Sequence, residues 1–181
     1  MTGGRVFTVV GPSGAGKDTL LLAVAARLPR LRRVRRVITR PAAAGGEDFE
    51  SISMAEFARR RAAGEFALWW AAHGFHYGIP RAIDAWLALG EDVVFNGSRA
   101  VLGSAVARYP NLRVLHVTAS PPALAERLAR RGRETAAEIA ERLARSDFTL
   151  PDGLDVTVIR NDGILSTAVA EMIAAIQGEG T

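Results

Sequence analysis

The sequence predicts an α/β domain built on a parallel sheet, and three observations predict it. Short β-branched runs alternate with segments of helical apolar spacing along most of the chain. The first such run leads straight into a glycine-rich loop and then a helix. The length, 181 residues, fits one domain around a single core, with no linker long enough for a second. Strands and helices that alternate in this way imply right-handed crossovers.

Each element has its own signal. Arg5–Val10 reads as a buried strand and Gly11–Lys17 as a loop. Asp18–Leu28 has helical apolar spacing and stops at Pro29. Val34–Thr39 reads as a second strand, and Pro41–Gly46 as a turn-rich connection. Ser53 caps a helix to about Ala63, with Glu56 completing a capping box and Gly64 ending it. Glu65–Tyr77 is rich in aromatics and reads as two short strands around His73-Gly74. Pro80 occupies the first turn of a helix that runs to Leu89 and ends at Gly90. Asp92–Phe95, Leu112–Thr118 and Asp155–Ile159 are strands. Arg99–Arg108, Pro121–Arg131, Ala136–Arg145 and Ile164–Ile176 are helices.

Composition excludes several classes. Apolar residues make up 49% and charged residues 23%, which excludes a disordered or fibrous chain. The apolar runs fall short of the roughly 18–20 residues of a membrane helix. The start of the chain runs into the glycine-rich loop and lacks the pattern of a signal peptide, so the expected location is cytoplasmic. Cysteine is absent, which excludes disulfides and thiolate metal sites. The net charge of +4 suits anionic small molecules and does not demand nucleic acid. Of 23 basic residues, one is a lysine, Lys17. A chain that otherwise chose arginine kept a compact ammonium at this one position, which marks it as a functional residue.

Lys17 closes the sequence Gly11-Pro12-Ser13-Gly14-Ala15-Gly16-Lys17, a G-x-x-x-x-G-K phosphate loop between a strand and a helix. Its glycines let backbone N–H groups converge on an anion, and the helix N-terminus adds its dipole. Lys17 then reaches the β- and γ-phosphates of a nucleotide. The next position usually carries a Ser or Thr that holds Mg²⁺; here it is Asp18, followed by Thr19. Asp18 either binds Mg²⁺, directly or through water, or simply favours the first helical turn.

Several segments occur in an order that resembles one family. They are Gly11–Lys17, Ile38-Thr39-Arg40, Tyr77-Gly78, Arg127-Leu128 with Arg131-Gly132, Arg142-Leu143 and Asn161-Asp162. Together they resemble the guanylate kinase-like branch of nucleoside monophosphate kinases. Within that branch the chain is most similar to the ribose 1,5-bisphosphate phosphokinases of phosphonate breakdown. That likeness rests on Gly16-Lys17-Asp18, Trp70, His73-Gly74, Asn96-Gly97-Ser98-Arg99-Ala100, Arg131-Gly132-Arg133-Glu134 and Asn161-Asp162-Gly163. A guanylate kinase resembles the chain less at Asn96, where it carries an acidic residue, and after Arg40, where it expects a second arginine. The resemblance implies a P-loop NTPase three-layer sandwich with an acceptor-binding insert at about 36–80 and a helical lid at about 128–140. It implies ATP as donor, Mg²⁺ as cofactor and a small sugar phosphate as acceptor; a homodimer is possible, and the sequence does not decide the oligomeric state. The alternatives are a guanylate kinase and a non-catalytic interaction module, and the intact phosphate loop argues against the second.

Roles follow from chemistry and from the resemblance. A phosphate acceptor is already anionic, so no general base is needed. Arg40 is the first choice for gripping the acceptor, since its fork matches phosphate. Tyr77 donates to the same phosphate, as the resemblance implies. Glu47, with Asp48, either holds sugar hydroxyls or a Mg²⁺-bound water, or lies on the surface of a turn. His73 is a candidate acceptor contact. Asn96, Ser98 and Arg99 follow a strand at its carboxyl end, where α/β sheets bind ligands. Arg131, Arg133 and Arg142 are lid arginines that close on the transferring phosphate. Arg127 joins the nucleotide site or pairs with nearby acids, and Asn161 contacts the adenine or forms a plain turn. Arg36 is a possible helper of Arg40, but the run Arg30, Arg32, Arg33, Arg35, Arg36 reads more simply as a solvated face. Arg59-Arg60-Arg61 reads the same way.

Overall fold

The structure, a computed structural model, describes residues 3–42, 47–131 and 150–178. Its centre is β1 (Val6–Val10), a run of five residues that are all buried. On one side lies β7 (Asp92–Asn96) and then β2 (Leu31–Arg33); on the other lie β8 (Arg113–Thr118) and β9 (Asp155–Arg160). The order is β2-β7-β1-β8-β9, and each neighbouring pair is parallel. The predicted parallel α/β sheet is thus present.

Side chains of β1 alternate between two cores, as the pleat requires. Phe7 and Val9 face α1 (Lys17–Arg27) and α6 (Leu165–Gln177) through Leu20, Leu21, Val24, Val169 and Met172. Val6 and Val10 face the opposite layer, which holds α3 (Ala82–Ala88) and α4 (Arg99–Arg108) through Ile83, Val101 and Leu102. Helices on both faces give three layers. Among the described residues, no helix is long and apolar enough to cross a membrane.

A second sheet is formed by β3 (Arg36–Ile38), β4 (Phe49–Ser51), β5 (Phe66–Ala72) and β6 (Phe75–Pro80), in the order β4-β3-β6-β5. It is mixed: β3 runs parallel to β4, while β6 is antiparallel to both β3 and β5. Leu68, Trp70, Tyr77 and Ile79 join the core shared with β1 and α4. Phe66 faces the other way and stacks on Phe57 of α2 (Met54–Ala62) at 4.7 Å. The β5–β6 hairpin turns on His73 and Gly74, whose φ angles are 52° and 77°. Two consecutive positive φ values match the hand of the strands they join.

Three expectations are corrected. Val34–Thr39 is not one strand. Leu31–Arg33 belongs to the first sheet, Val34 still donates to the Val94 carbonyl at 2.9 Å, and Arg36–Ile38 belongs to the second sheet. The chain changes sheets at Arg35, next to a buried Arg36 whose partners are described below. Pro80 ends β6 instead of starting a helix; α3 begins at Ala82. The capping box is half formed: Ser53 Oγ accepts from the Glu56 N–H at 3.1 Å, but the Glu56 carboxylate turns to Arg59. Strand β4 falls in a stretch where the sequence predicts no element.

Two glycines test this packing in opposite directions. A Cβ on Gly78 would lie 2.7 Å from Phe66 ring atoms already stacked on Phe57. Gly78→Ala is expected to lower stability by about 1–3 kcal/mol, as overpacking does. Gly103 lies in α4 with nothing within 4 Å of its would-be Cβ. Gly103→Ala is expected to raise stability by roughly 0.5–1 kcal/mol through helix propensity. Thermal melts that shift both variants in the same direction would contradict this packing.

Candidate active site

The loop between β1 and α1 is shaped by close approach. Gly11, Gly14 and Gly16 have φ of 150°, 90° and 86°. A Cβ on Gly11 would sit 2.1 Å from the Val117 carbonyl oxygen, and one on Gly16 would sit 2.5 Å from Asn161 Nδ2. Only glycine meets both the conformation and the contact. Lys17 folds over the loop and donates from Nζ to the carbonyls of Gly11 at 2.8 Å and Pro12 at 2.9 Å. Its ammonium therefore lies across the cradle that the loop N–H groups form.

Asn161 holds the loop from behind. Its Nδ2 donates to the Ala15 carbonyl at 2.7 Å, and its own N–H donates to Thr118 at 2.8 Å. Arg127 of α5 (Pro121–Arg131) donates to the Asn161 carbonyl at 2.6 Å. Asp162 accepts from the Ser120 N–H, and that backbone bond holds its carboxyl below the usual range. Asn161 and Arg127 were expected near the nucleotide; the structure gives Asn161's amide to the loop backbone and Arg127's guanidinium to Asn161. His116, opposite Val10 in β8, was not singled out by the sequence. Burial, and then the Lys17 charge, push its pKa down. It stays neutral at pH 7 and adds no positive charge beside the lysine.

On the other side, Asn96 Nδ2 at the end of β7 donates to Asp18 Oδ1 at 2.6 Å. The Asn96 backbone carbonyl accepts from Arg36 Nη1 at 3.0 Å. Arg36 Nε and Nη2 fork onto the two carboxylate oxygens of Glu47. Glu47 also lies 3.9 Å from Arg40 Nη2. Arg40 stacks over Phe49, its guanidinium carbon 4.5 Å from the ring centre. Tyr77 lies flat on Trp70 at 5.2 Å, and the Arg36 guanidinium is 5.1 Å from its ring centre. Burial raises the Tyr77 pKa despite the nearby Arg36 and Arg40 charges, so its hydroxyl is a proton donor at neutral pH.

This arrangement corrects two readings. Arg36 is buried, not part of a solvated face; its neighbours Arg32 and Arg35 are exposed and pair with Glu91 and Asp48. Glu47 is half-buried in an ion pair with Arg36, while Asp48 is the residue at the surface. The signal for Arg36 was present in the strand pattern: alternation with Val34 and Ile38 places it inward.

The remaining candidates are placed as follows. Pro12, Ser13 and Thr19 lie on or beside the loop, with Ser13 and Thr19 exposed. Ser98 precedes α4, and its Oγ is buried with no hydrogen-bond partner among the described residues. Arg99 opens α4 and is exposed. His73 is exposed at the hairpin turn, in a left-handed conformation that explains it as turn chemistry. The Arg131 side chain, Arg133, Arg142, the lid beyond residue 131 and the expected helix Ala136–Arg145 lie outside the described residues.

A phosphate loop at the carboxyl edge of a parallel sheet, with helices on both faces and a small second sheet beside it, defines a P-loop kinase fold. Solved structures agree. The fold is similar to a guanylate kinase from Anaplasma phagocytophilum, with TM-score 0.70 and 19% identity, over 99% of this chain and 87% of that one. It is also similar to a gluconokinase from Sinorhizobium meliloti, with TM-score 0.56 and 20% identity, over 98% and 94%. No family model matches the chain. Curated relatives narrow the class. The chain is 51% identical to a protein of Ruegeria sp. over 97% of its length and 93% of the relative's. It is 49% identical to one of Burkholderia mallei over 98% of both, and 47% identical to one of Rhizobium etli over 97% and 90%. All three are named ribose 1,5-bisphosphate phosphokinase PhnN. The chain belongs to the ribose 1,5-bisphosphate phosphokinase family.

The Asn96–Asp18 contact gives a pH prediction. In Asn96→Asp a second carboxylate would stand where an amide now donates to Asp18 at 2.6 Å. Like charges so close raise the pKa of one member of the pair above its unfolded value. That contribution to stability is present at low pH and is lost as pH rises through the raised pKa. The variant is expected to melt well below wild type at pH 8 and to approach it at about pH 4–5, near ordinary carboxyl pKa values. Parallel melting curves for the two proteins across pH 4–8 would show that the two groups do not face each other.

Proposed function

We propose that this chain phosphorylates ribose 1,5-bisphosphate with ATP, giving 5-phosphoribosyl 1-diphosphate and ADP in phosphonate breakdown. The observation that carries the reading is near-full-length identity of 46–51% to relatives bearing that enzyme's name, on a chain with an intact phosphate loop. An oxygen of the acceptor's 1-phosphate attacks the γ-phosphorus of ATP. The bond from that phosphorus to the β-bridging oxygen breaks, and the electron pair leaves on ADP. The acceptor oxygen is anionic at pH 7, so no residue has to remove a proton. Among the described residues, the carboxylates of Glu47 and Asp18 are bonded to Arg36 and Asn96, and His116 lies in the strand behind the loop.

The chain's own residues then position and neutralise. The loop N–H groups hold the β-phosphate, and Lys17 shifts from its carbonyl partners to the β- and γ-phosphates. Arg40, with the Tyr77 hydroxyl as a second donor, grips an acceptor phosphate from the second sheet. Ser98 and Arg99 offer donors at the end of β7. Arg131, Arg133 and Arg142 close over the transferring group. Mg²⁺, when bound with ATP, neutralises charge on the phosphate oxygens. Asp18 would hold it: a hard carboxylate at the mouth of the loop, oriented by Asn96, suits an ion that keeps waters and phosphate oxygens as its other ligands.

The test is ADP release with Mg·ATP against ribose 1,5-bisphosphate, ribose 5-phosphate, GMP and AMP in separate reactions. Turnover with the bisphosphate alone is expected; turnover with GMP would make the chain a guanylate kinase and overturn the reading. Lys17→Ala is expected to remove most activity, and Lys17→Arg to be nearly as poor, since the guanidinium is not a compact point charge. Arg40→Ala is expected to raise the KM of the acceptor by about tenfold or more, in keeping with loss of a charged hydrogen bond. An equal rise in the KM of ATP would remove Arg40 from the acceptor site.

A further inference from the structure

Arg36 has a setting unlike that of the other arginines. Among the arginines whose side chains are described, it is the one that is buried, at 8% exposure. A guanidinium presents a planar fork of N–H donors and two flat faces. Here Nε and Nη2 meet the Glu47 carboxylate, and Nη1 meets the Asn96 carbonyl at 3.0 Å. Its guanidinium carbon lies 5.1 Å from the Tyr77 ring centre and 5.9 Å from that of Trp70. Three of those neighbours lie on the second sheet or its β3–β4 connection, and the fourth lies at the end of β7 in the first. Asn96 in turn holds Asp18 at the mouth of the phosphate loop, and Glu47 in turn approaches Arg40. One side chain therefore contacts both the group that orients the loop's carboxylate and the groups that flank Arg40 and Tyr77.

We propose that Arg36 is a positioning residue for phosphoryl transfer: it fixes the acceptor clamp, Arg40 and Tyr77, against the phosphate loop by bonding Glu47 and Asn96 together. It acts through these neighbours and does not touch the reacting atoms. The proposal rests on the kinase reading above. It explains why an arginine is needed there. A carboxylate on the β3–β4 connection and a backbone carbonyl at the end of β7 must be bonded at once, in one plane, which an ammonium or an apolar side chain of similar length cannot do.

A static ion pair that only supports the fold would give different kinetics from a positioning residue, and four variants separate the two. Arg36→Met leaves the half-buried Glu47 without its partner and is expected to lower both the melting temperature and acceptor kcat/KM. Arg36→Met with Glu47→Gln removes both charges. It is expected to recover most of the melting temperature while acceptor kcat/KM stays reduced by roughly a hundredfold, the order of loss that misplacement by about 1 Å causes. Arg36→Lys keeps the charge and is expected to melt near wild type, yet to lose about tenfold or more in acceptor kcat/KM because it cannot form the fork. The KM for ATP is expected to stay within about twofold throughout, since the loop N–H groups and Lys17 are untouched. Arg35→Met, which removes an exposed partner of Asp48, is the control and is expected to be silent in both measurements.

The proposal is overturned if the neutral pair or the lysine variant regains full acceptor kcat/KM along with its melting temperature. It is also overturned if the KM for ATP rises as much as that for the acceptor. Failure of the underlying reading looks different. Wild-type enzyme would then turn over GMP in place of the bisphosphate, and the same comparison, made with GMP, would still decide the role of Arg36.

Discussion

The structure depends on a backbone that is pressed into contact at the carboxyl end of β1. Gly11 lies against the Val117 carbonyl and Gly16 against the Asn161 amide so closely that a single methyl group at either position would collide. That contact requires β1 and β8 to be neighbours and to end in register, which their pairing from Phe7–Arg113 to Val10–His116 provides. It also requires β9 to deliver Asn161 just past its last residue, as the Val117–Ile159 and Thr118–Arg160 pairs do. The core on either side follows from this arrangement. Phe7 and Val9 look toward α1 and α6, Val6 and Val10 look toward α3 and α4, and β1 can satisfy both only when fully buried.

Charge among the described residues is organised around that point. Among the described residues, Lys17, Arg36, Arg40 and Arg127 lie at or near the loop and the second sheet, and the carboxylates of Asp18, Glu47 and Asp162 are set among them. Neutral amides do the connecting. Asn96 joins Asp18 to Arg36, and Asn161 joins the loop to Arg127. Each asparagine donates its side-chain NH₂ to one partner and accepts from the other at its main-chain carbonyl, and neither residue adds charge. A site meant for several phosphate groups benefits from this, because each added carboxylate would repel the ligand and each added cation would have to be stabilised when no ligand is bound.

Much of the fold was legible because its signals are local. The alternation of apolar strand and amphipathic helix gave the parallel sheet, and the loop announced itself through glycine spacing and the sole lysine. The second sheet was only partly legible, because its signals are not local. Val34–Thr39 has one continuous strand pattern, but the chain leaves one sheet for the other at Arg35, and only the partners of Arg36 show why. Pro80 carries the mark of a helix start as well as of a strand end, and pairing with Phe66 decides between them. The site divides in the same way. Lys17 and Asp18 could be read from the motif. Asn96 could be marked as polar chemistry at a strand end, but the hydrogen bond from its amide to Asp18 could not be read from a separation of 78 residues. Arg36 was hidden by its neighbours, since a run of arginines looks solvated until the two-residue period of the strand is applied to it.

Among the described residues, the shortage of familiar catalytic groups follows from the reaction. An acceptor that already carries charge needs no proton removed, so the enzyme has no use for a histidine or carboxylate poised near neutral pH. His116 illustrates this: it lies close to the loop, yet burial and the Lys17 charge hold it neutral. What remains for the protein is distance and direction, and those depend on parts that do not touch the reacting atoms. A buried fork between two sheets, an amide behind a loop and a glycine against a carbonyl are positioning parts of this kind. Motifs report the groups that meet the phosphates, while the parts that set the spacing between donor and acceptor are written as long-range contacts, which is why they emerge only when the chain is folded.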